Sequence, residues 1–143
     1  MNSRLLPDVN VWVALHHQIH EHHESALAWF DGLEAERTLV FCRQTQMGFF
    51  RLLTTDAVMG DEVLTQRRCW MLFRQWILGG KATLENEPVT VSQAFEQRTM
   101  ADASSPKEWM DAYLAAFAET AGIQLVTFDR ALAAKVKRSV LLQ

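Results

Sequence analysis

The sequence predicts a doubly wound α/β domain, a parallel sheet held between layers of helices. Three observations carry this prediction. Short apolar, β-rich segments recur along the chain, helical stripes of apolar residues separate them, and those stripes are long enough to be crossover connections rather than hairpins. At 143 residues, 49% of them hydrophobic, the chain has the size of one ordinary domain that can bury a core. Neither a repeat nor a low-complexity run nor a Pro/Gly/Ser linker interrupts it, so residues 1–143 read as a single domain.

The first strand and first helix lie in Leu5-Leu6-Pro7-Asp8-Val9-Asn10-Val11-Trp12-Val13-Ala14-Leu15, an apolar run interrupted by one carboxylate and one amide. It reads as a buried strand passing straight into a helix over 9–18, with Asp8 at the strand's carboxyl end. Ala26, Leu27, Trp29, Phe30 and Leu33 trace a second helix, with Gly32 inside the stripe. Residues 38–42 (Thr-Leu-Val-Phe-Cys) form a second buried strand. Met47, Phe49, Phe50, Leu52 and Leu53 carry a third helix that ends near Thr54-Thr55. Asp61 is a plausible N-cap for a long helix through Val63, Cys69, Trp70, Phe73, Trp76 and Ile77, stopped by Gly79-Gly80. Residues 82–84 make a weak third strand. A helix follows over 92–100, and another starts at Ser104-Ser105-Pro106 and ends at Gly122. Residues 123–127 are a clear strand, 131–137 a short helix, and 139–142 a closing strand.

Composition narrows the function classes. The 14 Lys and Arg against 17 Asp and Glu give a net charge of -3, so any nucleic-acid contact must come from a local basic patch. The two cysteines, Cys42 and Cys69, form no Cys-x-x-Cys and read as reduced, buried residues of a cytoplasmic protein. Asp8 and Asn10 interrupt the N-terminal apolar run, so a cleavable leader is not expected. No segment reaches the roughly 20 apolar residues that span a bilayer, so no membrane association is expected.

Three acids stand at informative places. Asp8 and Asp129 each follow a buried strand, at the edge where parallel sheets hold ligands, and Asp111 lies near the start of the 109–121 helix. Each has an ordinary alternative: Asp8 and Asp129 as helix N-caps, Asp111 as a first-turn charge. Converging carboxylates raise one another's pKa unless a divalent cation is present. Mg²⁺ or Mn²⁺ suits such an all-oxygen set, and metal-assisted phosphodiester hydrolysis is its natural chemistry.

Several stretches together resemble the PIN-domain family. They are Leu5 with Pro7-Asp8-Val9-Asn10-Val11-Trp12, His20-Glu21-His22-His23 with Ala26 and Trp29, and Gly48-Phe49-Phe50-Arg51-Leu52-Leu53-Thr54. The match continues through Asp111-Ala112-Tyr113-Leu114-Ala115-Ala116-Phe117-Ala118 and Thr127-Phe128-Asp129-Arg130. Within that family the chain looks most like the VapC toxins of bacterial toxin–antitoxin pairs. The resemblance implies a three-layer α/β/α sandwich and a Mg²⁺- or Mn²⁺-dependent endoribonuclease. It also implies inhibition by a cognate VapB-type antitoxin and a homodimer. Carried over by position, Asp8, Asp111 and Asp129 are the metal-binding acids; Asn10 and Gln46 are read as the catalytic residues that assist them. Many PIN domains place a Glu on the helix after the second strand, where this sequence offers the neutral Gln46. That departure leaves the number of metals open and keeps a second reading, a catalytically weak module that binds RNA or a protein.

Arg51 and Arg130 are the candidate phosphate contacts, while Arg67, Arg68 and Arg74 read as a solvated face. The run from His16 to His23 lacks the zincin spacing. His16 and His20 at helical spacing are a possible chelating pair, but hydrogen bonding across the helix junction is the preferred role. Trp70, Phe73 and Trp76 on one helix suggest a groove for an antitoxin helix. Asp8-Val9-Asn10-Val11 is also similar to the opening of haloacid-dehalogenase phosphatases. Asn10 stands where those enzymes need an acid, which disfavours that chemistry.

Overall fold

The computed structural model describes residues 3–143. Five parallel strands form the sheet: β1 (Arg4–Pro7), β2 (Thr38–Phe41), β3 (Ala82–Leu84), β4 (Gln124–Thr127) and β5 (Ser139–Leu141), in the order β3-β2-β1-β4-β5. The helices are α1 (Val9–His16), α2 (His23–Asp31), α3 (Arg43–Leu53), α4 (Asp56–Met59), α5 (Gln66–Leu78), α6 (Val91–Arg98), α7 (Glu108–Ala121) and α8 (Arg130–Ala133). The expected α/β/α sandwich is the observed architecture.

The strands read as continuous apolar runs because both faces of the sheet are covered. Leu5, Leu39 and Phe41 face one core with Trp12, Phe49, Leu53 and Phe73. Leu6, Val40 and Leu125 face the other, with Leu114 to Ala118 of α7. Trp12 is fully buried and stacks on Phe41 with ring centroids 3.8 Å apart.

The register Leu6 with Leu125 and Pro7 with Val126 brings β1 beside β4, so their carboxyl ends lie together. The chain winds outward from β1 to β3 on one side and through β4 to β5 on the other. The gap between β1 and β4 is therefore the topological switch point, where doubly wound folds bind ligands.

Some boundaries differ from expectation. The long helix begins at Gln66 and is capped by Thr65, whose Oγ1 accepts the Arg68 N–H at 3.2 Å. Asp61 lies instead in a 3₁₀ turn (Gly60–Glu62) behind α4, which the sequence reading did not separate. Gly60 at φ 57° redirects the backbone there, a conformation that glycine adopts without strain. α7 starts at Glu108 rather than at 104–106, and Gly122 ends it in the left-handed conformation, φ 67°. Gly32 is the C-cap of α2, not an interior residue. α6 covers Val91–Arg98 and α8 only Arg130–Ala133, each shorter than the sequence suggested. Both cysteines are free and buried.

Candidate active site

Asp8 is drawn to the switch point by two adjoining structures. Its backbone N–H extends the β1–β4 ladder to Val126 O at 2.9 Å, and its side chain caps α1, Oδ1 accepting the Val11 N–H at 3.1 Å. Thr127 Oγ1 donates to the other oxygen, Oδ2. The same hydroxyl accepts the Asp129 N–H at 2.9 Å. Thr127 thus ties the ends of β1 and β4 together through one fully buried side chain. Asp129 in turn caps α8, its Oδ1 accepting from the N–H groups of Ala131 and Leu132. Capping therefore does not remove either acid from the cleft: both Asp8 and Asp129 cap a helix and still line the same cavity.

A cavity of about 420 Å³ opens at this point. Asp8, Asn10, Arg51, Asp111 and Asp129 all line it. Five of the residues singled out from sequence are thus brought together, from the β1–α1 junction, α1, α3, α7 and the β4–α8 junction. Gln46 and Arg130 do not line it. Gln46 is 2% exposed and its Oε1 accepts from the Arg43 guanidinium at 2.5 Å, while Arg130 is exposed on α8.

The acids feel one another. Burial, chiefly, pushes the Asp8 carboxyl up to about 6, with the Asp129 charge adding to it, against the lowering effect of the Thr127 and Val11 hydrogen bonds. Burial also raises the Asp111 carboxyl, again with Asp129 adding, and the nearby Lys135 opposes this. Among the described residues, no three His, Cys, Asp or Glu side chains close in on one point tightly enough to cage an ion. The arrangement is an open, all-oxygen set of carboxylates that share a cavity, in which the Asp129 charge favours the protonated form of Asp8 and Asp111. That fits Mg²⁺, which keeps several waters and takes only one or two carboxylates directly.

Two residues of the site escaped the sequence reading. One is Thr127. The other is Gln44, whose Nε2 donates to Met110 O at 3.0 Å and ties the first turn of α3 to that of α7 beside Asp111. The Gln44 Oε1 is buried with no partner among the described residues. Swapping the amide would set two acceptors face to face, so the orientation is fixed by the Met110 carbonyl.

The histidines lie outside this cavity. His16 Nδ1–H donates to Trp12 O at 2.8 Å, and His16 Nε2 accepts the Trp76 indole N–H at 2.9 Å. Both ring nitrogens are occupied, so His16 and His20 do not form a chelating pair. His17 pairs with Glu62, His23 bonds to Ala14 O, and His22 stacks on Phe128 at 4.2 Å. The expected aromatic groove on α5 is also corrected. Phe73 is core and Trp76 is half-buried against His16 and Phe30, leaving Trp70 exposed at 44%. Packing on the sheet turns Phe73 and part of Trp76 inward, so the three aromatics do not form one continuous groove, and Trp70 alone of them stays on the surface.

The chain belongs to the PIN-domain family, whose family model matches residues 5–138. It is 39% identical over 131 residues to Ribonuclease VapC41 of Mycobacterium tuberculosis, covering 89% of this chain and 90% of that protein. It is 31% identical over 136 residues to Ribonuclease VapC44 of the same organism, covering 91% and 89%. Among solved structures it is similar to the M. tuberculosis VapC20, a sarcin–ricin-loop-cleaving toxin. There the TM-score is 0.64 at 17% identity, covering 91% of this chain and 93% of that one. That likeness is one of fold.

Proposed function

We propose that this PIN-domain chain is a ribonuclease toxin of a VapBC-type toxin–antitoxin pair, cutting RNA phosphodiester bonds with Mg²⁺ or Mn²⁺ in the cytoplasm. The observation that carries the reading is the convergence of Asp8, Asp111 and Asp129 on one cavity at the switch point of the sheet. The relatives named as ribonucleases support it.

Asp8, Asp111 and Asp129 would hold the divalent cation, which supplies an activated water as nucleophile and positive charge for the leaving oxygen. The protein's own groups prepare the site. Thr127 and the α1 amides hold Asp8 with both oxygens engaged, and the capping bonds of Asp129 fix its carboxylate at the cleft rim. Arg51, exposed on the cavity wall, offers a guanidinium to a flanking RNA phosphate. Asn10, in the first turn of α1, adds a neutral donor and acceptor without further charge. Gln46 acts through Arg43, holding that guanidinium near the start of α3. Arg130 is the weaker phosphate candidate, because it stands off the cavity.

As partners the reading names a VapB-type antitoxin and a second copy of this chain. Exposed Trp70 and Met71 on α5 give this chain an apolar surface for one of them. Among the described residues no helix is long and apolar enough to cross a membrane.

The test is incubation of a structured RNA pool with the wild type and Asp8→Asn, with Mg²⁺ or Mn²⁺ or with a chelator. Cleavage by the wild type that requires the cation and falls at least about 10²-fold in Asp8→Asn supports the reading. An intact fold with no cation-dependent cleavage, or equal cleavage by both proteins, refutes it.

A further inference from the structure

A larger cavity, about 580 Å³, lies beside the acid cavity at the carboxyl ends of β2 and β3. The strand order sets the two side by side on one edge of the sheet. Gln44 and Met47 line both, so the two cavities are parts of one surface. The second has the volume of a small-ligand pocket and its own chemistry, from Arg43, Asn86, Glu87 and Tyr113.

That chemistry suits a base edge better than a phosphate. Glu85, also on the wall, is ion-paired with Arg4 at 2.5 Å. Glu87 Oε2 accepts the Tyr113 hydroxyl, and Glu87 Oε1 has no bond among the described residues. Two carboxylates on one wall repel a phosphate. They welcome N–H donors instead, and guanine alone among the four RNA bases carries two adjacent N–H donors on its pairing edge. Arg43 spends one nitrogen on Gln46 and keeps further donors, the group that most often reads guanine O6 and N7. Asn86 is exposed and adds an amide, and Met47 is an adaptable apolar flank. Unpaired bases are the parts of RNA that proteins read in this way.

We infer that this second cavity is a guanine subsite for a nucleotide next to the bond cut in the acid cavity, with Glu87 accepting from the base's N1–H and 2-amino group. The inference rests on the RNA reading proposed above.

The test is binding of 5′-GMP, 5′-IMP, 5′-AMP, 5′-CMP and 5′-UMP, followed by NMR on the side-chain amides of Gln44 and Asn86. IMP differs from GMP only in lacking the 2-amino group. The wild type binds GMP about tenfold more tightly than IMP, the scale of one charge-assisted hydrogen bond. In Glu87→Gln, which keeps an acceptor for Tyr113, both affinities fall, that of GMP the more, and the preference for GMP over IMP is lost. Equal affinities in the wild type, or a GMP preference that survives Glu87→Gln, overturn the inference. So does a result in which an arginine-rich peptide shifts these amides and no nucleotide does, which makes the cavity a basic-partner site. RNA cleavage without base discrimination defeats this inference alone. Discrimination without RNA cleavage defeats the proposed function and leaves a guanine-binding cavity.

Discussion

At the scale of single residues the site is held under electrostatic tension. Asp8 is 7% exposed, and the folded protein holds its carboxyl near 6 against an ordinary 3.8. A raised carboxyl means that the folded state binds the proton more tightly than the unfolded chain. Its contribution to stability is therefore full below about pH 4 and is lost as pH rises through about 6. Each pH unit of that gap corresponds to about 1.4 kcal/mol, so ionised Asp8 costs on the order of 2–3 kcal/mol at pH 7. Asn is as good an N-cap as Asp and carries no charge, although it satisfies Thr127 less well. Asp8→Asn, with divalent cations removed, is expected to be more stable than the wild type at pH 7.5 by about 1–2 kcal/mol and equal or weaker at pH 4.5. Urea unfolding at the two pH values measures this. A stability difference that is the same at both contradicts the assignment of the tension to Asp8. His16 shows the opposite arrangement: burial lowers its pKa, and its fixed Nδ1–H tautomer makes it a neutral strut between α1 and α5.

At the scale of elements, α3 sets the width of the cleft. Thr45 pins its start, accepting the Cys42 N–H at 3.1 Å, and Gln44 links it to α7. Gly48 then lets it lie directly against α1. A Cβ built there would stand 2.6 Å from Val9 Cγ2, one residue from Asp8. Gly48→Ala gains about 1 kcal/mol of helix propensity and incurs about 1–3 kcal/mol of overpacking, for a net loss of about 1 kcal/mol. It also shifts Arg51 relative to Asp8. Thermal unfolding measures the loss, and a Gly48→Ala protein as stable as the wild type contradicts this packing. The sequence made α3 and its neighbours legible through apolar periodicity alone. It hid α4 and the 3₁₀ turn, because those few residues carry no full helical repeat and Gly60 fixes their path. Thr127 and Gln44 stayed hidden for another reason. Their hydrogen bonds span 119 and 66 residues, and no local pattern marks a partner that only the fold brings near.

For the molecule as a whole, the fold accounts for most of the site. Alternating strands and helices were enough to place β1 and β4 in one parallel sheet, and an acid after each strand was conspicuous in an apolar run. What the sequence left open was whether Asp111 on α7 reaches the same place, and the packing of α7 over Leu6 and Leu125 brings it there. Gln46 was singled out because the resemblance to the PIN-domain family led to the expectation of a Glu there. Its burial against Arg43 gives it a structural task instead, which no reading of position alone could supply. The account as a whole rests on Asp8, Asp111 and Asp129 acting as one cation site. The measurement that tests this most directly is calorimetric titration of Mn²⁺ into the wild type, Asp8→Asn, Asp111→Asn and Asp129→Asn at pH 7.5. The account predicts binding by the wild type and at least about tenfold weaker binding by each variant, the scale of one lost charge-assisted contact. Undiminished Mn²⁺ affinity in any of the three variants, with its fold intact, would contradict it.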